Sequence, residues 1–349
     1  MLTSVGRIVI ARRYWQCRCG AAGSYAADAV LGVDGGRSRP LERHICRLGA
    51  DVSFAKTREH VAELLGVKLS EESVRDCCEQ HGKRMVRWQQ QDAETPRQFA
   101  AASGAIEFAV DAGKVNTREA GWKDLKIAVF QKRPVAEPCA TSAWSSRRLP
   151  AATAAVAWAD VTQSDRFRGT WRRMASRLGV RKTRDVHVLA DGAPWIWRSV
   201  SAVLGGCRET LDIFHGLAHV ARAGEKLYGE GAAESAEFLS RGRSYLLESG
   251  WNGITRLVGE ELSGDETPSR RAALDELVNY FSGHMSRLDY ASCLAEGRAI
   301  GSGVVEGWAK TLGLRLKARG ARWRKRNAVG MSALGCVRHS SQWSSYWAT

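Results

Sequence analysis

Three acidic residues stand at positions where their carboxylates can meet in a fold. Asp111 and Asp191 each close a segment rich in apolar residues, 105–110 and 184–190, so each is predicted to lie at the end of a β-strand. Glu306 lies far downstream, near the start of a predicted helix. Three carboxylates gathered in this way bind two divalent cations, Mg²⁺ or Mn²⁺, which serve phosphoryl transfer on nucleic acid. The residue types therefore predict a two-metal centre.

The helix that carries Glu306 is predicted from the turn before it. Gly301 and Gly303 interrupt the preceding segment, and the Ser302 side chain is expected to accept hydrogen bonds from the exposed N–H groups of the first turn. Glu306 then falls about one turn inside the helix, from where its carboxylate can reach across a cleft.

Strands and helices alternate in the middle of the chain. Apolar alternation and turn residues predict strands at 105–111, 122–130, 151–161, 184–191 and 210–215, with helices at 167–178 and 195–204. This order is that of a ribonuclease-H-like domain, an α/β fold in which helices flank a mixed sheet. The predicted catalytic domain comprises 104–217 and 298–349, and an all-helical insertion over 218–297 precedes its last catalytic helix.

The N-terminal part, 1–49, has a partial zinc-ribbon-like character. A tetrahedral zinc site needs two pairs of ligands, whereas Cys17 and Cys19 form a single pair spaced by one residue. We therefore do not expect zinc at Cys17 and Cys19. Asp34-Gly35-Gly36 has the composition of a plain turn.

Residues 50–90 have the spacing of a helix-turn-helix, with Ser70 expected to cap the second helix. That helix, from Glu71 to about Arg84, is predicted either to enter the major groove of DNA or to form a plain helical hairpin. The acids on its leading edge argue against DNA contact. Residues 86–103 are polar and uneven, which predicts a linker.

The charge of the chain points to a polyanionic partner. The 349 residues carry a formal net charge of +15, which favours nucleic acid first and an acidic membrane surface second. Eight basic residues and no acid lie between 310 and 326. We expect them to contact DNA, with Trp323 stacked on an unpaired base; the alternative is a solvated basic face with Trp323 anchored in the core. The candidate contacts to the DNA backbone are Arg315, Lys317, Arg319, Arg322, Arg324, Lys325 and Arg326.

Composition also bounds the location. No run of about 18 apolar residues occurs, so no membrane span is expected. The nine cysteines are scattered and odd in number, which fits a reducing compartment better than a disulfide scaffold. We expect a cytoplasmic protein associated with the bacterial nucleoid.

The sequence resembles insertion-sequence transposases of the Kra type, which belong to the DDE transposases with a ribonuclease-H-like core. The matching motifs are 110–115 followed by 121–126, 189–197, 211–215 with His219, 301–306, and 315–323. The resemblance covers about residues 105–347, and 5–85 more loosely. Each motif is short, and their order along the chain makes the match specific.

The resemblance implies roles for particular residues. Asp111, Asp191 and Glu306 match the metal-binding triad of enzymes that cleave the terminal inverted repeats of their element and join them to target DNA. Asp212 and His215 match an Asp-x-x-His signature, which implies a supporting or DNA-contacting role. Family analogy also implies a homo-oligomer, at least a dimer, because such enzymes act on paired ends.

Two other functions agree with parts of the pattern. Ala112 and Gly307-Trp308 depart from the family, as does the incomplete cysteine pair, so a decayed or domesticated transposase that binds DNA without catalysis is the main alternative. The other is a zinc hydrolase, because His215 and His219 would share one face of a helix. The glutamate that such an enzyme needs between its two histidines is missing.

Overall fold

The computed structural model describes residues 1–349 except 12, 21–22, 24, 26–27, 29–32, 35, 181–184, 264–266 and 349. A small sheet at the N-terminus has the order β2-β1-β4-β3, with β1 at Leu2–Thr3, β2 at Gly6–Arg7, β3 at Val33–Asp34 and β4 at Arg37–Ser38. The main sheet contains β5 at Ala105–Thr117, β6 at Gly121–Arg133, β7 at Ala154–Asp160, β8 at Val186–Ala190 and β9 at Arg208–Leu211.

The main sheet is mixed, with the order β7-β6-β5-β8-β9. The first three strands in the chain form an antiparallel meander, and β8 and β9 then add in parallel on the other side of β5. Helices cover both faces, so the predicted α/β class with a mixed, helix-flanked sheet is confirmed.

The helices before the main sheet are α1 at Arg39–Gly49, α2 at Phe54–Leu65, α3 at Glu71–Gln91 and α4 at Glu94–Ala101. Those that alternate with its strands are α5 at Ser164–Arg177, α6 at Pro194–Leu204 and α7 at Ile213–Tyr228. The insertion continues with α8 at Ala233–Leu262, α9 at Pro268–Ser282 and α10 at Tyr290–Ala295. The chain closes with α11 at Gly303–Leu316, α12 at Lys325–Arg338 and α13 at Gln342–Ala348.

The sheet separates two hydrophobic cores because side chains alternate between its faces. Phe108, Phe130 and Trp158 face a core shared with α5, α6 and the helical insertion. Ala109 and Ile127 face the other core, which is shared with the N-terminal helices and with α11 and α12. Asp111 has the same strand parity as Ala109, and it therefore lies on the face that α11 covers.

Several predicted boundaries are wrong. Asp111 does not end its strand, because β5 continues to Thr117 in a long hairpin where Asp111 pairs with Ile127. The last strand of the sheet stops at Leu211, and Ile213 already belongs to a helix. The predicted fourth strand began at Arg184, which lies outside the described residues, and β8 starts at Val186.

The predicted linker over 86–103 is helical instead. Helix α3 runs on to Gln91, and α4 follows almost at once. Gln89 is buried and donates to the Ala157 carbonyl at 2.9 Å, and Phe99 is buried in the core. The segment is polar in composition, but its few inward-facing side chains make long-range contacts, and these hold it in ordered helices.

The predicted helical hairpin forms, with Ser70 accepting from the Ser73 N–H at 3.0 Å to cap α3. One face of α3 packs against α1 and α12, and Gly82 crosses Gly330 so closely that a Cβ there would lie 2.5 Å from the Gly330 carbonyl oxygen. DNA contact by the exposed face of this helix stays a prediction. The predicted turn at 34–36 includes residue 35, which lies outside the described residues.

The region from 216 to 297 is helical where it is described, as predicted. Among the described residues, no helix is long and apolar enough to cross a membrane.

Candidate active site

Strand register brings three aspartates to one edge of the sheet. Val110 of β5 is paired with Ala190 of β8, and Ala190 is paired with Leu211 of β9. Asp111 is the next residue along β5, and Asp191 and Asp212 come directly after the last residues of β8 and β9. The three aspartates therefore lie next to one another across three neighbouring parallel strands. Asp111 and Asp191 were expected at this edge from the sequence, and the register gives the physical reason for their meeting.

Asp212 joins the sheet to the turn before α11. It is completely buried, and its backbone N–H donates to the Ala190 carbonyl at 2.8 Å. One carboxylate oxygen accepts from the His215 N–H at 2.8 Å and so caps α7, while the other accepts from the Ser302 N–H. A single side chain therefore fixes both the start of α7 and the entry to α11.

The predicted capping role of the Ser302 hydroxyl is wrong. Ser302 is buried and acts through its backbone, donating to Asp212 and accepting from the Val305 N–H at 2.9 Å. Gly301 eases this approach, because a Cβ there would lie 3.1 Å from the Phe214 ring, which is a tight contact.

Helix α11 then presents Glu306 to the aspartates. Its buried side chains, among them Val305, Trp308 and Leu312, pack in the core on the Asp111 face of the sheet. Glu306 itself is exposed, and the oxygen atoms of Glu306 and Asp212 and a ring nitrogen of His215 all lie within 4.8 Å of one another. Asp212 and Glu306, which are distant in the sequence, thus lie together with His215, whereas Asp111 and Asp191 are outside this group.

The carboxylates are close enough to perturb one another. Burial raises the pKa of Asp191, and the charges of Asp111 and Asp212 raise it further. Burial also raises the pKa of Glu306, with additional contributions from Asp212 and Asp111, while His215 acts in the opposite direction. This crowding of negative charge is unfavourable without a cation, and oxygen-rich donor sets of this kind suit Mg²⁺ or Mn²⁺.

Two residues of the helical insertion support the turn after β8. Gly192 has no room for a side chain, because a Cβ would lie 2.7 Å from the Tyr280 ring and 3.1 Å from His284 Nε2. The Tyr280 ring is held in place by stacking on His219, with ring centroids 3.5 Å apart. Burial and the charges of Asp191 and Asp212 raise the pKa of Tyr280, so its hydroxyl stays protonated beside the carboxylates.

Sequence reasoning missed Tyr280 and His284. They lie about 90 residues after Asp191, with Tyr280 on α9 and His284 just after its end, in a stretch with no recognisable motif. Only the packing of the insertion against the sheet edge brings them to the site.

A cavity of about 850 Å³ borders the turn at Gly301 and Gly303. Its walls are largely apolar, and Phe214 is 57% exposed on one side, in a tilted contact with Trp144 at 5.5 Å. Arg147 and Arg243 also line it. No sequence motif indicates this cavity, because its lining comes from six separate segments of the chain.

The basic segment after α11 is attached to the hairpin that carries Asp111. The Trp323 N–H donates to the Asn116 carbonyl at 3.0 Å, and the Arg118 N–H donates to the Trp323 carbonyl at 2.7 Å. The Lys325 N–H donates to the Glu119 carboxylate at 3.0 Å. The exposed members of the predicted set are Lys317, Arg319, Arg322, Arg324, Lys325 and Arg326.

Two residues predicted to contact DNA are buried instead. Trp323 donates from its indole nitrogen to the Leu316 carbonyl at 3.0 Å and packs edge-on against Phe54. Arg315 lies over the Phe54 and Trp323 rings and donates from Nε to the Gly49 carbonyl at 2.8 Å. Stacking of Trp323 on a base and phosphate contact by Arg315 are therefore wrong, because both side chains anchor the segment to the protein.

The exposed arginines surround a second cavity of about 580 Å³. Arg319, Arg322, Arg324 and Arg326 contribute from the basic segment. Two further arginines, Arg75 of α3 and Arg118 of the hairpin, also line the cavity, and neither was singled out from the sequence.

The predicted zinc pair His215 and His219 does not converge. His215 faces Glu306, whereas His219 stacks on Tyr280 and belongs to none of the candidate metal clusters in the described part of the chain. Cys17 and Cys19 are exposed, and they likewise belong to none of these clusters.

No protein-family model matches this sequence, and no curated protein matches it.

Proposed function

We propose that the protein is a DDE transposase that cleaves and joins DNA by metal-dependent phosphoryl transfer. The observation that carries the proposal is the register of β5, β8 and β9. It places Asp111 and Asp191 side by side, on the sheet edge to which α11 brings Glu306. The strand order, with a meander followed by two parallel strands, supports a ribonuclease-H-like core for the same region.

The donor set fits divalent cations. Asp111, Asp191 and Glu306 would supply carboxylate oxygens. In the described part of the chain, however, the ligand atoms within 4.8 Å of one another at this site are those of Asp212, His215 and Glu306, and Asp111 and Asp191 stand outside that group. When bound, Mg²⁺ or Mn²⁺ would activate the attacking hydroxyl and offset charge on the transferring phosphate. Both carboxylate oxygens of Asp212 accept hydrogen bonds from backbone N–H groups, so we assign Asp212 a positioning role. We assign metal binding to Asp111, Asp191 and Glu306.

The protein's own residues would place the DNA. Exposed arginines of the basic segment neutralise phosphates, and their attachment to the β5–β6 hairpin fixes their distance from Asp111. A Cβ added to Gly113 would lie 4.0 Å from the Lys317 ammonium nitrogen, so this ammonium is close to β5, the strand that carries Asp111. By analogy with related enzymes, the active form would be a multimer on two paired element ends.

The test is nicking of supercoiled plasmid by the full-length protein in Mn²⁺, with EDTA as the blank. Glu306→Gln removes one charge from the centre and keeps the size of the side chain. We expect nicking to fall by about 10²–10³-fold, the usual effect of losing one electrostatic contact in an active site. Plasmid binding in a mobility-shift assay should stay within about twofold, because Glu306 is acidic and makes no phosphate contact in this proposal.

The matched control is Glu248→Gln, which changes an exposed glutamate of the helical insertion. It should nick like the wild type. Binding without nicking by the wild-type protein would support the non-catalytic alternative. Loss of nicking and binding together in Glu306→Gln would count against the assignment of Glu306.

A further inference from the structure

A buried cluster of sulfur and nitrogen ligands lies between α1 and α3, apart from the carboxylate centre. Cys46 of α1 and Cys77 and His81 of α3 have ligand atoms that all lie within 4.8 Å of one another. Cys78 adds a third thiol within hydrogen-bonding reach of Cys46. We propose that this cluster is a structural zinc site, with Cys46, Cys77 and His81 as ligands and Cys78 as the candidate for the fourth position.

The local structure explains why the ligands converge. Cys77 and His81 are four residues apart on α3, so they share one face of that helix. This face packs against α1, where Cys46 lies. Gly49 of α1 gives Cys78 its space, because a Cβ there would lie 2.4 Å from the Cys78 sulfur.

The chemistry of the set suits zinc. Thiolate and imidazole are the ligands of structural zinc sites, which are tetrahedral and closed to solvent. All three cysteines are fully buried and His81 is 5% exposed, so the site is closed in the same way. Carboxylates dominate the centre at Asp111, which would favour a harder cation, and the two sites therefore differ in metal preference.

Contacts from outside the three ligands orient the His81 ring. Its Nε2 lies 3.1 Å from the buried Glu42 carboxylate, and such a partner fixes the orientation of the ring. Its Nδ1 lies 2.8 Å from the Tyr346 hydroxyl. In the tautomer in which Nε2–H donates to the Glu42 carboxylate, Nδ1 is the nitrogen free to bind zinc, and the Tyr346 hydroxyl would have to move away from it.

The site would fasten α1 to α3, with α13 beside it, and it does not depend on the proposed DNA chemistry. Cys336, which is equally buried on α12, lies outside the cluster and serves as a matched control.

The first test uses the full-length protein, stripped with chelator and titrated with Co²⁺. Wild type and Cys336→Ser should both develop the near-ultraviolet absorption of thiolate-to-cobalt charge transfer, and equimolar Zn²⁺ should abolish it. Cys77→Ser should lose at least most of this absorption. Glu306→Gln should keep it, which separates the cluster from the carboxylate centre.

The second test needs no variant and covers the case in which Cys77→Ser does not fold. Wild-type protein is alkylated with iodoacetamide in mild urea, with Zn²⁺ or with chelator, and the modified cysteines are mapped by peptide mass spectrometry. Zinc should slow alkylation of Cys46 and Cys77 at least tenfold and leave Cys336 unchanged. Equal protection of all three, or cobalt binding with no thiolate absorption in the wild type, would overturn the proposal.

Discussion

Asp212 and Asp191 are neighbours in the site, but isosteric substitutions should affect them in opposite ways. Asp212 accepts buried hydrogen bonds from His215 and Ser302 through its two oxygens. In Asp212→Asn, either orientation of the amide satisfies one of these N–H groups and turns an NH₂ group towards the other. The variant loses one charge-assisted hydrogen bond and leaves a buried donor without its acceptor, at an expected loss of about 1–3 kcal/mol.

Asp191→Asn lacks this conflict. One Asp191 oxygen accepts from the Ala193 N–H at 2.9 Å, and an amide oxygen can keep that bond. The substitution also removes a charge that burial and Asp111 disfavour. The metal-free variant should therefore be as stable as the wild type or more stable, although we expect both variants to lose nicking.

The assay is urea unfolding in EDTA, followed by the fluorescence of the 13 tryptophans. With equal m values, the midpoints give the difference in free energy of unfolding. The expected order of midpoints is Asp191→Asn, then wild type, then Asp212→Asn. An Asp212→Asn midpoint equal to that of the wild type would refute the role of Asp212 as the connection between α7 and α11.

Three further predictions follow from the same geometry. Because the pKa values of Asp191 and Glu306 are raised in the folded protein, the metal-free protein should lose stability as pH rises from the ordinary values of 3.8 and 4.5 through the raised ones. Mn²⁺ binds the ionised carboxylates, so the increase in Tm on adding Mn²⁺ should be larger at pH 7 than at pH 5. An equal increase at both pH values would contradict this. Replacing Arg319, Arg322 and Arg326 by alanine should reduce the slope of log K against log salt for plasmid binding by about 0.9 per lost phosphate contact, and the exposed Arg256→Ala on the insertion should leave it unchanged. Gly192→Ala should destabilise the protein by about 1–3 kcal/mol, because the Tyr280 ring, stacked on His219, cannot move away from the added methyl group. Gly259→Ala, where the added methyl group meets open space, should leave stability unchanged. A neutral effect of Gly192→Ala in thermal unfolding would show that the contact between Gly192 and Tyr280 is loose.

The sequence predicted those parts of the site that local patterns determine. Asp111 and Asp191 follow apolar runs, and such runs form buried strands whose ends fall at one edge of a parallel sheet. Ser70 was recognisable as a cap because capping depends on a few adjacent residues. The length of β5 was not predictable, because its second half is stabilised by pairing with β6 and not by its own apolar content.

The errors concern which way a side chain faces. Arg315 and Trp323 lie in a strongly basic segment, and composition alone favoured solvent and DNA for both. Their burial depends on Phe54, about 260 residues away, whose ring packs against both. In the same way, Cys46 and Cys77 looked like scattered cysteines, and only the packing of α1 on α3 brings them together.

The helical insertion is part of the candidate site and not only an addition to it. The turn after β8 can hold Asp191 in place only if Gly192 stays against Tyr280 and His284, which belong to the insertion. Tyr280 is in turn fixed by His219 on α7, the helix that Asp212 caps. These contacts therefore connect Asp191 through the insertion to Asp212, and Asp212 to the turn before the helix that carries Glu306. Asp191 and Asp212 are held by backbone hydrogen bonds from different elements, so their mutual repulsion does not separate them.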